Sequence, residues 1–297
     1  MRPQSSRNGA MTAAVTVVIV NFNSGGAARA CLGSAAADLG ARPWEAIIVD
    51  NASRDPASAD LDGLPRTRVI RNPANRGFGA AVNQAAHAAT APLLWLLNPD
   101  CTVLPGAFDT LGRVLEAHAD CAIAAPQLLD PDGSVQASAR GEPTAWTGLF
   151  GRNTWLTRYF GSSRVVRRNL PARDLVAAGV DSAPVDWVMG AAMLVRRSAF
   201  DAVGGFDEGF FLYWEDADLC RRLRDRGFST RYAPAARVTH TGGASARADA
   251  ALATRAFHRS AYLYYATHVV PSAWHPLRLV ARVALTLRAA WRVRRGR

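Results

Sequence analysis

From Val15 onward the chain alternates short apolar runs with Ala-rich stretches, and this rhythm limits the possible fold more than any other feature. Residues 15–22, VTVVIVNF, form the kind of β-branched run that is buried on both faces of a parallel sheet. Residues 25–39 read as a helix, 44–49 as a second strand ending at Asp50-Asn51, and 68–70 as a short third strand. A helix over 77–89 follows, then the apolar strand Leu93–Leu97, which ends at Asn98-Pro99-Asp100. Residues 105–118 make a further helix with Pro at its start, a favoured position. This β-α-β-α order predicts an α/β domain with an open, mostly parallel central sheet flanked by helices. A chain of 297 residues with 49% hydrophobic content is ample for such a core.

Ligands of open α/β sheets bind beyond the carboxyl ends of the strands. Three strands in succession end here in polar side chains: Asn21 and Asn23, Asp50 and Asn51, Asn98 and Asp100. One polar strand end carries little information, but three on the same edge outline a site. After Cys121 the pattern changes. Residues 122–129 and 134–139 flank Asp130-Pro131-Asp132-Gly133, a turn sequence that predicts an antiparallel hairpin. Residues 141–183 are irregular and rich in Arg and aromatics, and a connection that long is usually functional or disordered. Strand-like composition returns over 185–195 and 230–240, and from about Gly242 the chain reads as helical.

The charge balance narrows the partners. No Lys occurs, so all 35 basic residues are Arg, and the net charge of +11 favours nucleotides, diphosphates or acidic lipid surfaces. No helix-turn-helix, zinc-finger or aromatic RNA-binding signature is present, which argues against nucleic acid. Cys31, Cys101, Cys121 and Cys220 are scattered without a CxxC pair, which fits a reducing cytosol rather than a disulfide framework or structural zinc. Residues 1–14 read as a disordered leader, not a secretory signal. No uncharged apolar run reaches about 18 residues, so no membrane-spanning helix is expected.

The densest chemistry lies in Phe210-Phe211-Leu212-Tyr213-Trp214-Glu215-Asp216-Ala217-Asp218, where five large apolar residues run into three carboxylates. Leu219, Arg222, Leu223 and Arg226 continue as a helix stopped by Gly227, which puts the acids in its first turn. Acids there offset the helix dipole and accept bonds from free N–H groups, which accounts for one or two of them. The aromatic wall supplies a second reading. It lowers local water and raises a carboxylate's basicity, as a general base at a sugar hydroxyl requires. On this segment alone both readings stand.

Six segments, taken in order, carry a family resemblance: VTVVIVNFNS, IIVDNAS, NPANRGFGAAVNQA, LLWLLNPDC, the run from Gly190 to Phe228, and VTHTGGAS. Together they resemble the family 2 glycosyltransferases of the GT-A fold, above all their rhamnosyltransferase-like branch, over roughly residues 15–245. The resemblance implies a GT-A domain over 15–241 and a C-terminal helical extension over 242–297. It implies that Asp50 meets a base N–H or ribose hydroxyl. Asn75, Arg76 and Gly77 would open a helix whose N-terminus favours phosphate, with Asn83 one to two turns further in. Asn21, Asn23, Asn51 and Asn98 complete the implied donor-binding set. Asn98-Pro99-Asp100 stands where many members carry an Asp-x-Asp metal motif. Asn replaces the first Asp, which leaves Asp100 to hold Mg²⁺ or Mn²⁺, with His240 as a further ligand. Within Glu215-Asp216 the resemblance assigns the base to Asp216, while Glu215 and Asp218 tune it, bind acceptor hydroxyls or cap the helix, and Trp214 joins the acceptor platform. A single displacement with one base inverts the anomeric configuration.

The last segment, 276–297, has its own pattern. At about 100° per residue, Val280, Val283, Leu287 and Trp291 gather on one face, with Arg278, Arg282, Arg288, Arg292 and Arg295 opposite. Such a helix is either an interfacial membrane anchor or a cover for the catalytic domain with a solvated Arg face. The resemblance favours the former, with a lipid-linked or polysaccharide acceptor at the inner face of the cytoplasmic membrane. It also implies L-rhamnose from dTDP-rhamnose as the transferred sugar, with galactofuranose, mannose or glucose as alternatives. A nucleotidyltransferase needs no acceptor-side acid, and a silent binding module needs no Asp50, Asp100 and Asp216 together, so both are disfavoured.

Overall fold

The computed structural model describes residues 14–143, 172–242 and 250–295. The expected leader and most of the 141–183 connection lie outside these. Strands β1 (Val15–Asn21), β2 (Trp44–Asp50), β3 (Thr67–Arg71) and β4 (Leu93–Leu97) are parallel, with helices α1 (Gly25–Leu39) and α2 (Phe78–Ala88) between them. Every residue of β1 and β4 is buried, which is why both read as unbroken apolar runs. Along β1, Val17 and Ile19 face one core while Val18 and Val20 face the other, the period-two alternation of a strand covered on both sides.

The chain continues through β5 (Cys101–Val103), α3 (Ala107–Ala117), β6 (Cys121–Leu129), β7 (Ala139–Arg140), α4 (Ala172–Ala177), β8 (Ala183–Val185), β9 (Trp187–Val188) and β10 (Ala192–Arg196). Helix α5 (Arg197–Ala202), helix α6 (Glu215–Asp225) and the long strand β11 (Ser229–His240) complete this part. The sheet runs β3-β2-β1-β4-β10-β6-β11-β5, with β8 also on β11. Strand β10 is antiparallel to β4 and β6, and β5 and β8 are antiparallel to β11. This is the mixed α/β architecture expected, a mostly parallel central sheet between helical layers.

Three expectations shift. The turn at 130–133 closes, with Asp130 N donating to Ser134 O at 2.8 Å, but its arms pair only through the Leu129–Val135 bridge. Strand β10 already occupies that edge of β6 at Ile123 and Ala124, so the return arm has nowhere to extend and β7 pairs with β9 instead. The apolar stretch 185–195 is therefore three short strands rather than one. Helix α3 begins at Ala107, after Gly106 in a left-handed conformation, rather than at Pro105.

Beyond β11 lie α7 (Ala250–Tyr264), a π-helical turn (Tyr265–Val269) and α8 (Pro276–Arg295). Helix α7 shares a small core with the acid-bearing segment through Phe210, Ala217 and Tyr264. Helix α8 lies along α7. Among the described residues no helix is long and apolar enough to cross a membrane.

Candidate active site

The parallel register sets Asn21 beside Asp50, so the polar ends of β1 and β2 share one edge. Asp50 is buried, and its carboxylate accepts from Asn21 Nδ2 and from Arg71 Nη1, both at 3.0 Å. Arg71 also reaches Asp62 at 2.6 Å and keeps its side chain 41% exposed, so the guanidinium stands at the mouth beside Asp50. Nothing local in the sequence marks Arg71, which lies on an edge strand.

The asparagines of this edge hold each other. Asn21 Nδ2 faces Asp50, Ser53 and Ser58, and its oxygen accepts from Ser24. Asn51 donates to Asn75 Oδ1 and Gly77 O and accepts from Asn72 and the Arg76 amide. Asn23, at φ 54°, caps the Arg54 amide at 2.7 Å. These side chains brace the strand ends, and their amide valences are largely filled. Asn83 departs from its expected place: both ends of its amide bind Phe206, Nδ2 to the carbonyl at 2.9 Å and Oδ1 from the amide at 2.8 Å. It clamps α2 to the Gly205-Phe206 turn, and its Nδ2 also reaches Glu208 Oε1 at 3.3 Å.

The expected phosphate site at the start of α2 also changes. Gly77 has φ 87°, and a Cβ there would come within 2.4 Å of Phe211 O. That close approach lets Phe78 N donate to Phe211 O at 3.0 Å, so the first amide of the helix is already engaged. The N-terminus of α2 thus docks against the aromatic run through Phe78 N. Arg76 remains exposed at this rim, 3.6 Å from Glu208.

Asp100 and His240 face each other across the pairing of β5 with β11, with His240 Nε2 3.4 Å from Asp100 Oδ1. Gln136 decides what this contact means. Its Nε2 donates to His240 O at 2.8 Å and Asp130 at 2.7 Å, which turns Oε1 toward His240 Nδ1 at 3.1 Å. An acceptor at Nδ1 requires a proton there, which leaves Nε2 directed at a carboxylate oxygen. Two acceptors in that position call for a cation between them, either a proton or a metal ion. A carboxylate oxygen with an imidazole nitrogen suits Mn²⁺ at least as well as Mg²⁺. Cys101 completes the potential ligand cluster, but its neutral thiol donates to Ala191 O at 3.2 Å. The sequence reading missed Gln136, since nothing in its neighbourhood distinguishes it.

The three acids open α6 as expected, immediately after two consecutive left-handed residues, Tyr213 at φ 67° and Trp214 at φ 71°. Such conformations cost energy in non-glycine residues and persist where the surroundings impose them. Here Trp214 stacks on Tyr264 at 5.3 Å and Phe257 at 5.9 Å, so α7 holds the strained turn. Glu215 is 6% exposed, and its Oε2 has no hydrogen-bond partner among the described residues. Burial, and then the charge of Asp216, push its carboxyl well above the ordinary carboxylate range. Asp216 is more accessible, and its carboxylate accepts from the Gly190 amide at 2.9 Å and the Ala217 amide at 2.8 Å. Burial raises it too, opposed by those amides and by the Arg140 guanidinium. Burial thus raises both carboxyls of the pair, and Asp216 is the more accessible of the two and the one held by the Gly190 and Ala217 amides.

Asp218 differs from the acceptor-binding expectation. It is 1% exposed and bound by Arg222 and by His268 Nε2, both at 2.7 Å. Its carboxylate ties the π-helical turn to α6 rather than facing an acceptor. One peptide links the remaining parts. Gly190 N holds Asp216, while the next residue, Ala191, accepts from Asn98 N at 2.8 Å and from Cys101 Sγ. The acid pair and the Asp100 loop are thus locked to adjacent residues of one strand entry.

Comparison with known proteins bears on this geometry. The model of "Glycosyl transferase family 2" matches residues 16–174, and that of "Glycosyl transferase family group 2" matches residues 142–293. The chain is 34% identical over 306 aligned positions to an N-acetylglucosaminyl-diphospho-decaprenol L-rhamnosyltransferase of Mycobacterium tuberculosis, covering 96% of this chain and 94% of that one. A shorter match, 43% over 82 residues, joins 28% of the chain to 31% of the rhamnosyltransferase WbbL of Escherichia coli. Among solved structures, a mannosyltransferase from Pyrobaculum calidifontis in complex with GDP-Man and Mn²⁺ superposes with a TM-score of 0.56 at 15% identity, covering 93% of this chain and 71% of that one. GalNAc-T7 with UDP, GalNAc and Mn²⁺ gives 0.57 at 18% identity, over 77% of this chain and 43% of that one.

Proposed function

The chain belongs to glycosyl transferase family 2, and from that premise we propose that it moves L-rhamnose from dTDP-rhamnose to a lipid-linked amino sugar diphosphate, with inversion and with a divalent metal. Glycosyltransferase activity follows from the family; sugar, acceptor, metal and stereochemistry are the proposal. The observation that carries it is the pairing of a buried Glu215 with a more accessible Asp216, pinned by Gly190 next to the Asp100 loop. We take residues 15–241 as the transferase domain and 242–297 as its extension, acting at the cytoplasmic face of the membrane.

Asp216 takes the proton of the acceptor hydroxyl as that oxygen attacks the anomeric carbon, and the raised basicity of a desolvated carboxylate suits this task. Glu215, whose hold on its proton is strengthened by burial, leaves Asp216 as the base. Trp214 and its aromatic neighbours form the apolar wall against which an acceptor sugar stacks. Asp50 and Arg71 present one acceptor and one donor to the nucleoside. Asp100 and His240 would hold a divalent metal, with Gln136 fixing the imidazole, and the ion would supply positive charge for the departing diphosphate.

The test is direct. The purified protein is given a panel of nucleotide sugars and a short-chain N-acetylglucosaminyl-diphospho-lipid, with Mn²⁺, Mg²⁺ or chelator, and products are read by mass and by anomeric NMR. Transfer from dTDP-rhamnose, lost with chelator and opposite in anomeric configuration to the donor, is expected. Transfer of another sugar in preference would replace the substrate assignment, and retention would overturn the single-base mechanism.

A further inference from the structure

The tail was expected either to anchor in a membrane or to cover the domain with its Arg face in water. The structure orients it in neither of the usual ways for a covering helix. Helix α8 meets α7 through Ala281, Leu285 and Ala289, flanked by the half-buried Arg278 and Arg288. Burial, with the charges of Arg288 and Arg292 nearby, holds His258 of α7 below its ordinary value, so these two arginines border the contact with α7. The outward side carries Leu277, Val280, Val283, Leu287 and Trp291, spaced by three and four residues and between 48% and 65% exposed. Trp274, just before the helix, is 96% exposed. Of the nine large hydrophobics exposed among the described residues, seven lie between Trp274 and Trp291. A helix that packed only for the domain's stability would turn these residues inward.

We propose that the outward face of α8 is a membrane-docking plane that lies flat in the interface of an anionic bilayer. The proposal rests on the lipid-linked acceptor of the preceding reading and names the surface that meets that lipid. Charge decides the occupant. Arg282, Arg292, Arg294 and Arg295 are exposed along the helix on a chain of net charge +11, which attracts anionic headgroups and opposes the approach of a second copy of the same face. Twenty residues at about 1.5 Å each make a rod of roughly 30 Å, and its Arg residues keep it in the interface rather than across the bilayer.

The plane is also fixed relative to the acids. Helix α7, on which α8 lies, bonds the acid-bearing segment through Ser260 Oγ to Leu212 O at 2.9 Å, and Tyr264 stacks on Trp214. The following turn adds His268 to Asp218 at 2.7 Å. A membrane seated on α8 therefore lies at a set position from Asp216, and an acceptor sugar on a lipid diphosphate approaches from that side.

The experiment is sedimentation of the full-length protein with phosphatidylglycerol-containing vesicles and with pure phosphatidylcholine vesicles. The triple variant Val283→Ser/Leu287→Ser/Trp291→Ser alters only exposed positions and should lose at least about tenfold in vesicle affinity. Arg282→Glu/Arg292→Glu should lose the preference for the anionic vesicles, as should wild type in about 1 M salt, where screening acts within about 3 Å. Both variants should retain wild-type turnover on a soluble, lipid-free acceptor and an unchanged circular dichroism spectrum. Wild-type vesicle binding by the triple variant would overturn the proposal, as would equal binding to both vesicle types. A wild-type dimer in sedimentation velocity that the triple variant dissolves would also overturn it, since a second copy would then be the occupant. Anionic vesicle binding by a protein that transfers no sugar would sink the proposed function and leave this surface standing.

Discussion

Replacing each acid of the Glu215-Asp216 pair by its amide separates base from neighbour. Asp216→Asn removes the proposed base, and loss of a general base costs about 10²–10⁴ in rate, or about 3–5 kcal/mol of barrier. Glu215→Gln replaces a carboxyl whose hold on its proton is strengthened by burial, and on the proposed assignment turnover should fall by less than about tenfold. The pH dependence gives a second readout. In the folded state Glu215 holds its proton above the pH where the unfolded chain releases it, so the native state binds more protons in that window. Its contribution to stability then declines as pH rises from the unfolded carboxylate value toward the raised folded one, by about 1.4 kcal/mol per pH unit. Glu215→Gln removes this decline. Whatever constant offset the new amide introduces, the stability of the variant relative to wild type should increase with pH above about 4.5. Urea titrations at successive pH values measure that slope, and steady-state rates with a soluble acceptor measure turnover. The acid limb of kcat/KM, set by Asp216, should lie above the ordinary carboxylate range and remain in place in Glu215→Gln. A flat stability difference, or a Glu215→Gln enzyme as inactive as Asp216→Asn, would refute the assignment.

Asp100→Ala should weaken metal-dependent binding of an intact nucleotide sugar far more than binding of the free nucleoside, measured by calorimetry, and equal losses would give Asp100 a shaping role instead. Gln136→Leu should raise the metal dissociation constant by about 10–100-fold by freeing the His240 tautomer, read by Mn²⁺ titration. His268→Ala leaves the buried Asp218 with Arg222 alone and should cost about 1–3 kcal/mol in urea unfolding, with recovery if Asp218→Asn is added. Asn83→Ala removes two bonds to Phe206 and should lower stability by about 1–3 kcal/mol while leaving donor KM within about twofold, since both ends of the amide are bonded to Phe206.

Local order and repetition determined what the sequence could reveal. Strands β1 and β4 are buried on both faces, so their composition alone announces them, and the βαβ rhythm then forces Asn21, Asp50 and Asn98 to one edge. The acids of α6 were legible because a helix start and an aromatic run are both contiguous in the chain. Valence and direction were not legible. Asn51 and Asn83 look like ligand-binding amides until partners 24 and 123 residues away fill them, and those partners exist only once the strands are paired. Gln136 and His240 meet across 104 residues because the return arm of the 130–133 turn brings Gln136 against β11, which no periodicity records. Helix α8 shows both sides of this division. Its two faces follow from spacing alone, but which of them meets α7 depends on the shape of the neighbouring surface, and the small Ala281 and Ala289 allow the close approach that leaves Val283, Leu287 and Trp291 in solvent.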